Sequence, residues 1–254
     1  MSQLDKSWLA ANWPAPKNIR AGTTLRTFSN IPGENKGASK APYDYFNLAT
    51  HVGDDLDAVL ENRGMLQTPS VPQWLEQTHS TDIVCLPAAE ETPHADAAYT
   101  MHEKVVCAVL TADCLPLLVT DKQGQCVAAI HAGWRGLYHG IIEKTIQKLP
   151  VEPGNLLVWL GPAIGENVYE VGEEVYYAFT DNDKEAEQAF IPVSQGHWLL
   201  NMYAMAHLRL QRIGVTQIFG GGLCTFTEQT RFYSYRRENK TGRMASLIWF
   251  ENNK

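Results

Sequence analysis

Residues 115–149, LPLLVTDKQGQCVAAIHAGWRGLYHGIIEKTIQKL, set the architecture that we expect for this chain. Two short apolar runs, 115–120 and 125–130, flank Asp-Lys-Gln-Gly, which has the composition of a tight turn, so this stretch predicts a β-hairpin. Residues 137–149 then carry apolar side chains at helical spacing, with charged residues on the other side, which predicts an amphipathic helix. A hairpin that continues into such a helix indicates a sheet with helices packed against it.

The sequence on both sides of this stretch continues the pattern. Short runs rich in β-branched and aromatic residues predict strands at residues 83–86, 105–110, 156–160, 215–219, 232–235 and 244–250. Apolar periodicity predicts further helices at residues 54–63, 172–179 and 199–213. In the first of these helices, Leu56, Val59 and Leu60 share one face. Residues 29–42, rich in Gly, Asn, Lys and Ser, predict a long loop.

The order of these elements defines the expected fold class. Strands occur both in clusters and in alternation with helices, which is not the pattern of a pure βαβ repeat. We therefore expect a mixed α/β (α+β) fold, a single domain over residues 1–254 with mixed β-sheets flanked by helices.

Composition and charge exclude several classes of protein. The chain is 44% apolar and 19% charged, and its formal charge of −7 argues against nucleic acid or an anionic membrane as a partner. There is no run of 18 apolar residues, and residues 1–17 lack the apolar core of a secretory signal, so we expect a soluble cytoplasmic protein. The five cysteines have no disulfide or zinc-ribbon spacing and are expected to be reduced thiols.

Three short stretches combine metal-ligating residues with tight-turn residues. They are residues 76–80 (EQTHS), 111–116 (TADCLP) and 131–136 (HAGWRG). Each lies at or near the end of a predicted strand, where a side chain can leave the sheet and point into a pocket.

One thiol and two imidazoles in these stretches make up the donor set of a catalytic zinc site. Zinc prefers thiolate sulfur and imidazole nitrogen, and a catalytic zinc keeps an open position beside three protein ligands, here His79, Cys114 and His131. Such an ion lowers the pKa of bound water to roughly 7. A buried thiol and two hydrogen-bonded core imidazoles remain the alternative, because the three residues come from separate elements.

Two carboxylates lie close in sequence to these ligands. Asp113 and Glu76 are each candidates for a proton shuttle, or for a group that only orients a ligand.

Several arginines are candidates for anion binding. Arg135 lies where the third stretch enters the predicted helix, so it and nearby backbone amides could face a phosphate. A glycine-rich turn with a surface arginine is the alternative. Arg236, Arg237 and Arg243 are candidates for phosphate or ribose contacts, or for a solvated hairpin, and we favour the hairpin for Arg237.

The sequence strings around these residues resemble the YfiH-type laccase-domain family, which is known both as multicopper polyphenol oxidase and as purine nucleoside phosphorylase. The matching strings are residues 46–48 (FNL), 51–55 (HVGDD), 62–63 (NR), 74–79 (WLEQTH), 111–116, 131–136, 161–165 (GPAIG), 169–172 (YEVG), 234–237 (SYRR) and 241–245 (TGRMA). Family members also carry a Thr-Arg-x-Gly-Gly-x-Ser string before the Asn-Leu motif. Here residues 25–29 are followed by an insertion, so any contact made by that loop is expected to differ.

The resemblance implies a YfiH-like fold and a catalytic zinc held by His79, Cys114 and His131. It implies phosphorolysis of adenosine, inosine, guanosine and methylthioadenosine with phosphate as co-substrate, and deamination of adenosine. A role in peptidoglycan editing is also implied. Asn47, in the matching Asn-Leu motif, becomes a candidate substrate contact. We expect a monomer that acts on small molecules.

Three other interpretations remain open. Cys114 as nucleophile with His131 as base would make a thiol hydrolase, such as a cysteine-type amidase. The same donor set suits a copper centre, but a multicopper oxidase needs a further histidine-rich cluster, and the chain has eight histidines and no His-x-His pair. A structural zinc site would need a fourth protein ligand.

Overall fold

The structure is a computed structural model that describes residues 8–28 and 36–251. This part of the chain contains thirteen strands and six α-helices. The strands are β1 (Trp8–Ala10), β2 (Ile19–Thr24), β3 (Ile83–Cys85), β4 (Ala97–Thr100), β5 (Cys107–Thr111), β6 (Leu115–Asp121), β7 (Val127–Ala132), β8 (Leu156–Leu160), β9 (Glu170–Gly172), β10 (Phe190–Ser194), β11 (His197–Leu200), β12 (Gln217–Gly220) and β13 (Met244–Phe250). The helices are α1 (Leu56–Gly64), α2 (Trp134–His139), α3 (Ile141–Lys148), α4 (Glu173–Thr180), α5 (Met202–Arg212) and α6 (Tyr235–Glu238).

The predicted hairpin, β6 and β7, forms the centre of a six-stranded mixed sheet with the order β12-β8-β6-β7-β4-β3. The outer pairs β12–β8 and β3–β4 are parallel, and the inner pairs are antiparallel. Every residue of β6 and β7 is buried, because both faces of this sheet are covered. Leu117 and Ile130 pack with the apolar residues of α3 and α5 on one face. Leu118 packs with β5 and β13 on the other.

A second sheet covers that other face. It is antiparallel throughout, with the order β1-β2-β13-β5. The two sheets share an apolar interior because successive residues of a strand point to opposite faces. A third, antiparallel sheet has the order β10-β11-β9. The mixed α/β fold with flanking helices agrees with the sequence-based expectation.

Strands predicted at residues 156–160 and 244–250 are confirmed residue for residue. Those at 83–86, 105–110 and 215–219 are confirmed with shifts of one or two residues, and α1 and α4 lie where helices are predicted. In α1 the predicted apolar face is wrong. Leu56 and Leu60 are 55% and 50% exposed, and the buried residues are Val59 and Asn62.

The helix predicted at residues 137–149 begins earlier and is divided in two. Gly140 adopts a left-handed conformation (φ 85°), which ends α2 before α3 begins. The helix predicted at 199–213 begins only at Met202. Leu199 belongs to β11, where it pairs with Ile191, and Asn201 caps α5.

The strand predicted at residues 232–235 is wrong. Phe232 and Tyr233 are fully buried in a small apolar cluster without joining a sheet, and Ser234 caps α6. Their apolar character reflects this packing. Of the predicted loop 29–42, residues 36–42 contain no helix or strand, and residues 29–35 lie outside the described residues, as do residues 1–7. Among the helices described here, none is long and apolar enough to cross a membrane.

Candidate metal centre

The three predicted ligands come together at one end of the central hairpin. Cys114 immediately precedes β6 and His131 is near the end of β7, so the pairing of Pro116 with His131 brings the two together. His79 comes from the loop before β3. The ligand atoms of the three residues all lie within 4.8 Å of one another, and Cys114 Sγ is 3.7 Å from His79 Nε2.

The group is closed on one side and open on the other. His131 is buried, Cys114 is half-buried and His79 is exposed. The rings of His79 and His131 meet edge to face, with 4.8 Å between their centroids. Of the three residues, His79 is therefore the one most accessible to solvent.

Asp96 organises the loop that carries His79. Its carboxylate accepts the backbone N–H groups of Thr78 (3.2 Å), His79 (3.0 Å) and Ser80 (2.6 Å), and also the Ser80 hydroxyl (2.9 Å). His79 has a left-handed backbone (φ 61°), which is uncommon for a residue with a side chain. The three amides that converge on one carboxylate stabilise this turn.

The same carboxylate orients His131. Asp96 Oδ1 lies 2.7 Å from His131 Nδ1, so Nε2 is the ring nitrogen left to bind an ion. Asp96 is fully buried. Burial raises the pKa of Asp96, but the hydrogen bond and charge of His131, together with the hydrogen bonds from Ser80, outweigh burial and lower it. Sequence reasoning missed Asp96, whose only local signal is a carboxylate between alanines in residues 95–98 (ADAA).

Gly133 allows the ligands to approach each other. A Cβ atom at this position would lie 2.7 Å from His79 Cδ2 and 3.1 Å from Cys114 Sγ. The first distance is far below a van der Waals contact, so a side chain at residue 133 would displace the His79 ring. The glycine of the HAGWRG string is thus explained by contact with the ligands.

The electrostatics of the group favour an ionised thiol. Burial raises the pKa of Cys114, but His131 and His79 outweigh burial and lower it to about 6. Burial lowers the pKa of His131, but Cys114 and Asp96 outweigh burial and raise it to about 9. Both shifts favour a thiolate–imidazolium pair at neutral pH when no metal is bound.

The donor set fits a divalent transition-metal ion. Two imidazole nitrogens and one thiolate match zinc chemistry, and a buried carboxylate behind one imidazole is the usual support of a metal-binding histidine. In residues 8–28 and 36–251, this is the one group of three or more His, Cys, Asp or Glu side chains with such spacing.

The two predicted proton shuttles lie in different settings. Asp113 is buried, and its two oxygens accept from Thr225 Oγ1 (2.6 Å) and from the Arg236 backbone N–H (2.7 Å). Glu76 is exposed and forms an ion pair with His94 (3.2 Å), outside the group of ligands.

Three predicted anion-binding arginines have contacts that the structure defines. Arg135 stacks on Trp134, with 4.4 Å between the guanidinium carbon and the ring centroid. Arg236 lies 5.1 Å over Tyr169 and donates to Glu170 O, and Arg243 donates to Thr241 O and Gly242 O. None of the three arginines forms an ion pair with a carboxylate of the described part of the chain.

For Arg237, the expectation of a solvated hairpin is wrong. It lies in α6, and its guanidinium donates to the backbone carbonyls of Thr225 (2.6 Å), Phe226 (2.7 Å) and Phe232 (2.9 Å). It thereby holds the loop before α6.

Asn47 is fully buried and is engaged on both sides of its amide. Its Oδ1 accepts from the backbone N–H groups of Ala49 (3.0 Å) and Arg243 (2.9 Å), and its Nδ2 donates to Asp54 (2.8 Å). In this structure the Asn47 side chain supports the backbone of Arg243 and of Ala49, and its predicted contact with substrate stays a prediction.

Tyr169 is a further residue of the site that sequence reasoning did not single out, although it begins the YEVG string. Burial raises its pKa, as do the charges of Cys114 and Asp113, whereas Arg236 and Arg135 lower it. The hydroxyl of Tyr169 has no hydrogen-bond partner within the described residues, so it remains able to donate to a bound molecule.

The fold and the His-Cys-His group define a mixed α/β protein with a set of side chains that could bind a metal ion. The family model described as multi-copper polyphenol oxidoreductase laccase matches residues 31–251, and the chain belongs to this family.

Relatives with established names cover almost the whole chain. A Haemophilus influenzae protein named purine nucleoside phosphorylase is 47% identical over 246 residues, which are 94% of this chain and 98% of that protein. The Escherichia coli K12 protein named purine nucleoside phosphorylase YfiH is 46% identical, with 95% and 98% covered. These relatives confirm the resemblance to the YfiH-type family.

Solved structures show the same fold. A Neisseria meningitidis protein superposes with a TM-score of 0.90 at 44% identity, covering 97% of this chain and 100% of that one. YlmD from Geobacillus stearothermophilus superposes with a TM-score of 0.88 at 28% identity, covering 97% of each chain.

Proposed function

We propose that this chain is a zinc-dependent purine nucleoside phosphorylase that cleaves adenosine, inosine, guanosine and methylthioadenosine with inorganic phosphate. The observation that carries the proposal is the convergence of His79, Cys114 and His131 within 4.8 Å, open on one side. The names of the relatives support the reaction and the substrate class.

Three residues would bind the ion, and a fourth orients one of them. His79, Cys114 and His131 would hold the ion, which when bound supplies Lewis-acid chemistry at neutral pH. Asp96 keeps Nε2 of His131 directed at it through the 2.7 Å contact to Nδ1.

Phosphorolysis brings a phosphate to C1 of the ribose while negative charge develops on the departing purine. Arg135, Arg236 and Arg243 supply positive charge beside the group, which suits binding of the phosphate. Tyr169 is our candidate hydrogen-bond donor to the purine, because its raised pKa keeps the hydroxyl protonated. Asp113 does not suit proton transfer, since both of its oxygens already accept hydrogen bonds inside the protein.

Deamination of adenosine belongs to the same proposal. That reaction replaces the C6 amino group by oxygen from water and also needs a site that accommodates the purine beside the ion. We place the purine on the exposed side of His79, and the product distinguishes the two reactions.

A cysteine-type amidase is the second candidate function. In this reaction Cys114 would be the nucleophile, His131 the base, and Asp96 the carboxylate that orients the base. The lowered pKa of Cys114 favours the thiolate. This arrangement would serve hydrolysis of an amide in a peptidoglycan stem peptide. Metal content separates the two candidates, because a thiolate that binds zinc is not a free nucleophile.

A copper oxidase is less well supported. A multicopper enzyme needs several ion sites, and the described residues hold one group of three ligands.

The decisive experiment combines elemental analysis with chromatography of adenosine incubated with and without phosphate. We expect about one zinc ion per chain and adenine that forms only when phosphate is present. Inosine in the absence of phosphate would show deamination. Hydrolysis of a stem-peptide amide by metal-free protein would favour the amidase, and oxidation of a phenol by copper-loaded protein would favour the oxidase.

Two variants test whether the reaction depends on the His79–Cys114–His131 group. Cys114→Ala and His131→Ala should each lose the metal and the products together. His102→Ala, which removes an exposed imidazole remote in sequence from all three ligands, is the control and should keep both. A Cys114→Ala protein without metal but with full activity would contradict the proposal.

A further inference from the structure

Asp113 joins the loop of a metal ligand to two other parts of the chain. It lies between β5 and β6, next to Cys114, with a left-handed backbone (φ 93°). Its backbone carbonyl accepts from Ile164 N (2.9 Å), and its Oδ1 accepts from the Thr225 hydroxyl (2.6 Å). The Cys114 loop is thereby tied to the segments that follow β8 and β12.

The second oxygen of Asp113 reaches the first turn of α6. Helix starts leave backbone N–H groups without partners. In α6, the Ser234 hydroxyl accepts from Arg237 N (3.2 Å), and Asp113 Oδ2 accepts from Arg236 N (2.7 Å). The carboxylate next to the metal ligand is therefore the group that holds the backbone of Arg236.

We propose that Asp113 is a positioning residue, which fixes α6 to the Cys114 loop and so holds the Arg236 guanidinium beside the metal ligands for phosphate binding. The inference rests on the proposed function in so far as Arg236 is the phosphate contact. Arg236 is near the ligand group because its backbone N–H donates to the carboxylate next to Cys114 (2.7 Å), and its guanidinium lies 5.1 Å over the Tyr169 ring.

Two other roles for Asp113 make different predictions. A proton shuttle would change the rate of the chemical step and leave phosphate affinity intact. A purely structural residue would lower stability without a selective effect on phosphate. A positioning residue raises the KM for phosphate, because Arg236 is displaced while the metal and its ligands remain.

Asp113→Gly is the test in zinc-loaded protein. Glycine suits the left-handed backbone at this position (φ 93°), and the substitution removes the oxygen that accepts from Arg236 N as well as the oxygen that accepts from Thr225. We expect the KM for phosphate to rise about tenfold, as for loss of one hydrogen bond to a charged group, with kcat within about twofold and zinc retained. Thr241→Val is the control. It removes a 2.6 Å bond to Glu238 near the other end of α6 and should leave the phosphate KM within about twofold.

A double-mutant cycle tests whether Asp113 acts through Arg236. In an Arg236→Ala background, Asp113→Gly should change the phosphate KM by less than about twofold, because the guanidinium that Asp113 positions is gone. Effects that multiply independently would overturn the inference. So would a collapse of kcat at constant phosphate KM, loss of zinc, or an equal rise of the phosphate KM in Thr241→Val.

Hydrogen exchange gives a readout that does not depend on turnover. The Arg236 amide should exchange faster in Asp113→Gly than in wild type or Thr241→Val, since it has lost its acceptor. Unchanged exchange would refute the positioning role whatever the reaction proves to be. If Arg236→Ala leaves phosphate KM unchanged while exchange responds as expected, the phosphate role of Arg236 fails and the anchoring by Asp113 stands.

Discussion

Asp96 and His131 are joined twice, by a side-chain contact of 2.7 Å and by a backbone hydrogen bond from His131 N to Asp96 O of 2.7 Å. The Asp96 carboxylate also accepts from three amides of the His79 loop. One buried residue therefore holds two of the three ligands, although it contributes no atom to the ligand set itself.

Asp96→Asn should weaken zinc affinity by about 10- to 100-fold, the usual effect of losing the carboxylate behind a metal-binding histidine. Competition with a chromophoric chelator measures the affinity. Asp82→Asn is the matched control, because Asp82 is exposed and lies in the segment between the His79 loop and β3. Equal affinities in Asp96→Asn and wild type would show that His131 is oriented by other contacts.

Gly133→Ala should remove the metal from a folded protein. Gly133 has an extended backbone (φ −69°, ψ 165°) that alanine can adopt, so the effect comes from the 2.7 Å approach of a Cβ to His79. Gly172→Ala is the control, since Gly172 also precedes a helix with an extended backbone but has no atom within 4 Å of a Cβ. Both variants share any loss from replacing a helix-capping glycine.

Elemental analysis and circular dichroism report the two outcomes separately. Zinc should be lost in Gly133→Ala and kept in Gly172→Ala, with similar helix content in both. Full zinc occupancy in Gly133→Ala would mean that His79 can move without leaving the ion, contrary to the tight packing seen here.

Alkylation of Cys114 in the metal-free protein should follow a midpoint near pH 6. The thiolate is the reactive form, and His131 and His79 lower the pKa of Cys114 to about 6, so reactivity is present above this pH and is lost below it. Peptide mapping of iodoacetamide adducts resolves this thiol from the others. Burial raises the pKa of Cys107 and of Cys126, so these two should stay unreactive at neutral pH.

His131→Ala should move the Cys114 midpoint upward, because it removes the larger of the two favourable charges. Zinc added before the reagent should protect the thiol. A midpoint that stays near pH 6 in His131→Ala would assign the shift to another group.

The sheet could be predicted where its strands are apolar runs bounded by turn residues. Strands β8 and β13 are buried along their whole length, and their limits match the prediction. The short strands β1, β9 and β10 were not predicted, because each buries a single residue and has no apolar pattern of its own. Such strands form only because a neighbouring strand offers hydrogen bonds, which is information about tertiary structure.

The candidate site was predictable to a similar extent. One centre was predicted from the residue types of His79, Cys114 and His131, from the turn residues beside them and from the family resemblance. The structure brings these three side chains together. That they bind zinc stays a proposal. Asp96 was not predictable, because it lies 35 residues from His131 and a single buried carboxylate has no sequence pattern. The engagement of both Asp113 oxygens likewise depends on residues more than 100 positions away.

The sequence predicts that Asn47 contacts the substrate, whereas in the structure its side chain bonds to buried groups of the protein. A substitution at Asn47 separates these two roles. In Asn47→Ala, the buried N–H groups of Ala49 and Arg243 lose their acceptor and Asp54 loses a donor. We expect the free energy of unfolding to fall by about 3 kcal/mol, since each unsatisfied buried group costs about 1 to 3 kcal/mol. Urea denaturation measures this change.

Asp54→Ala is the graded control, because it removes the Asn47 Nδ2 contact and leaves both backbone amides with their acceptor. It should destabilise the protein less than Asn47→Ala does. A substrate contact behaves differently: its loss raises the KM for the nucleoside at unchanged stability. If Asn47→Ala shows that result, Asn47 reaches the substrate after a rearrangement of the loop, and its place beneath Arg243 is not its functional role.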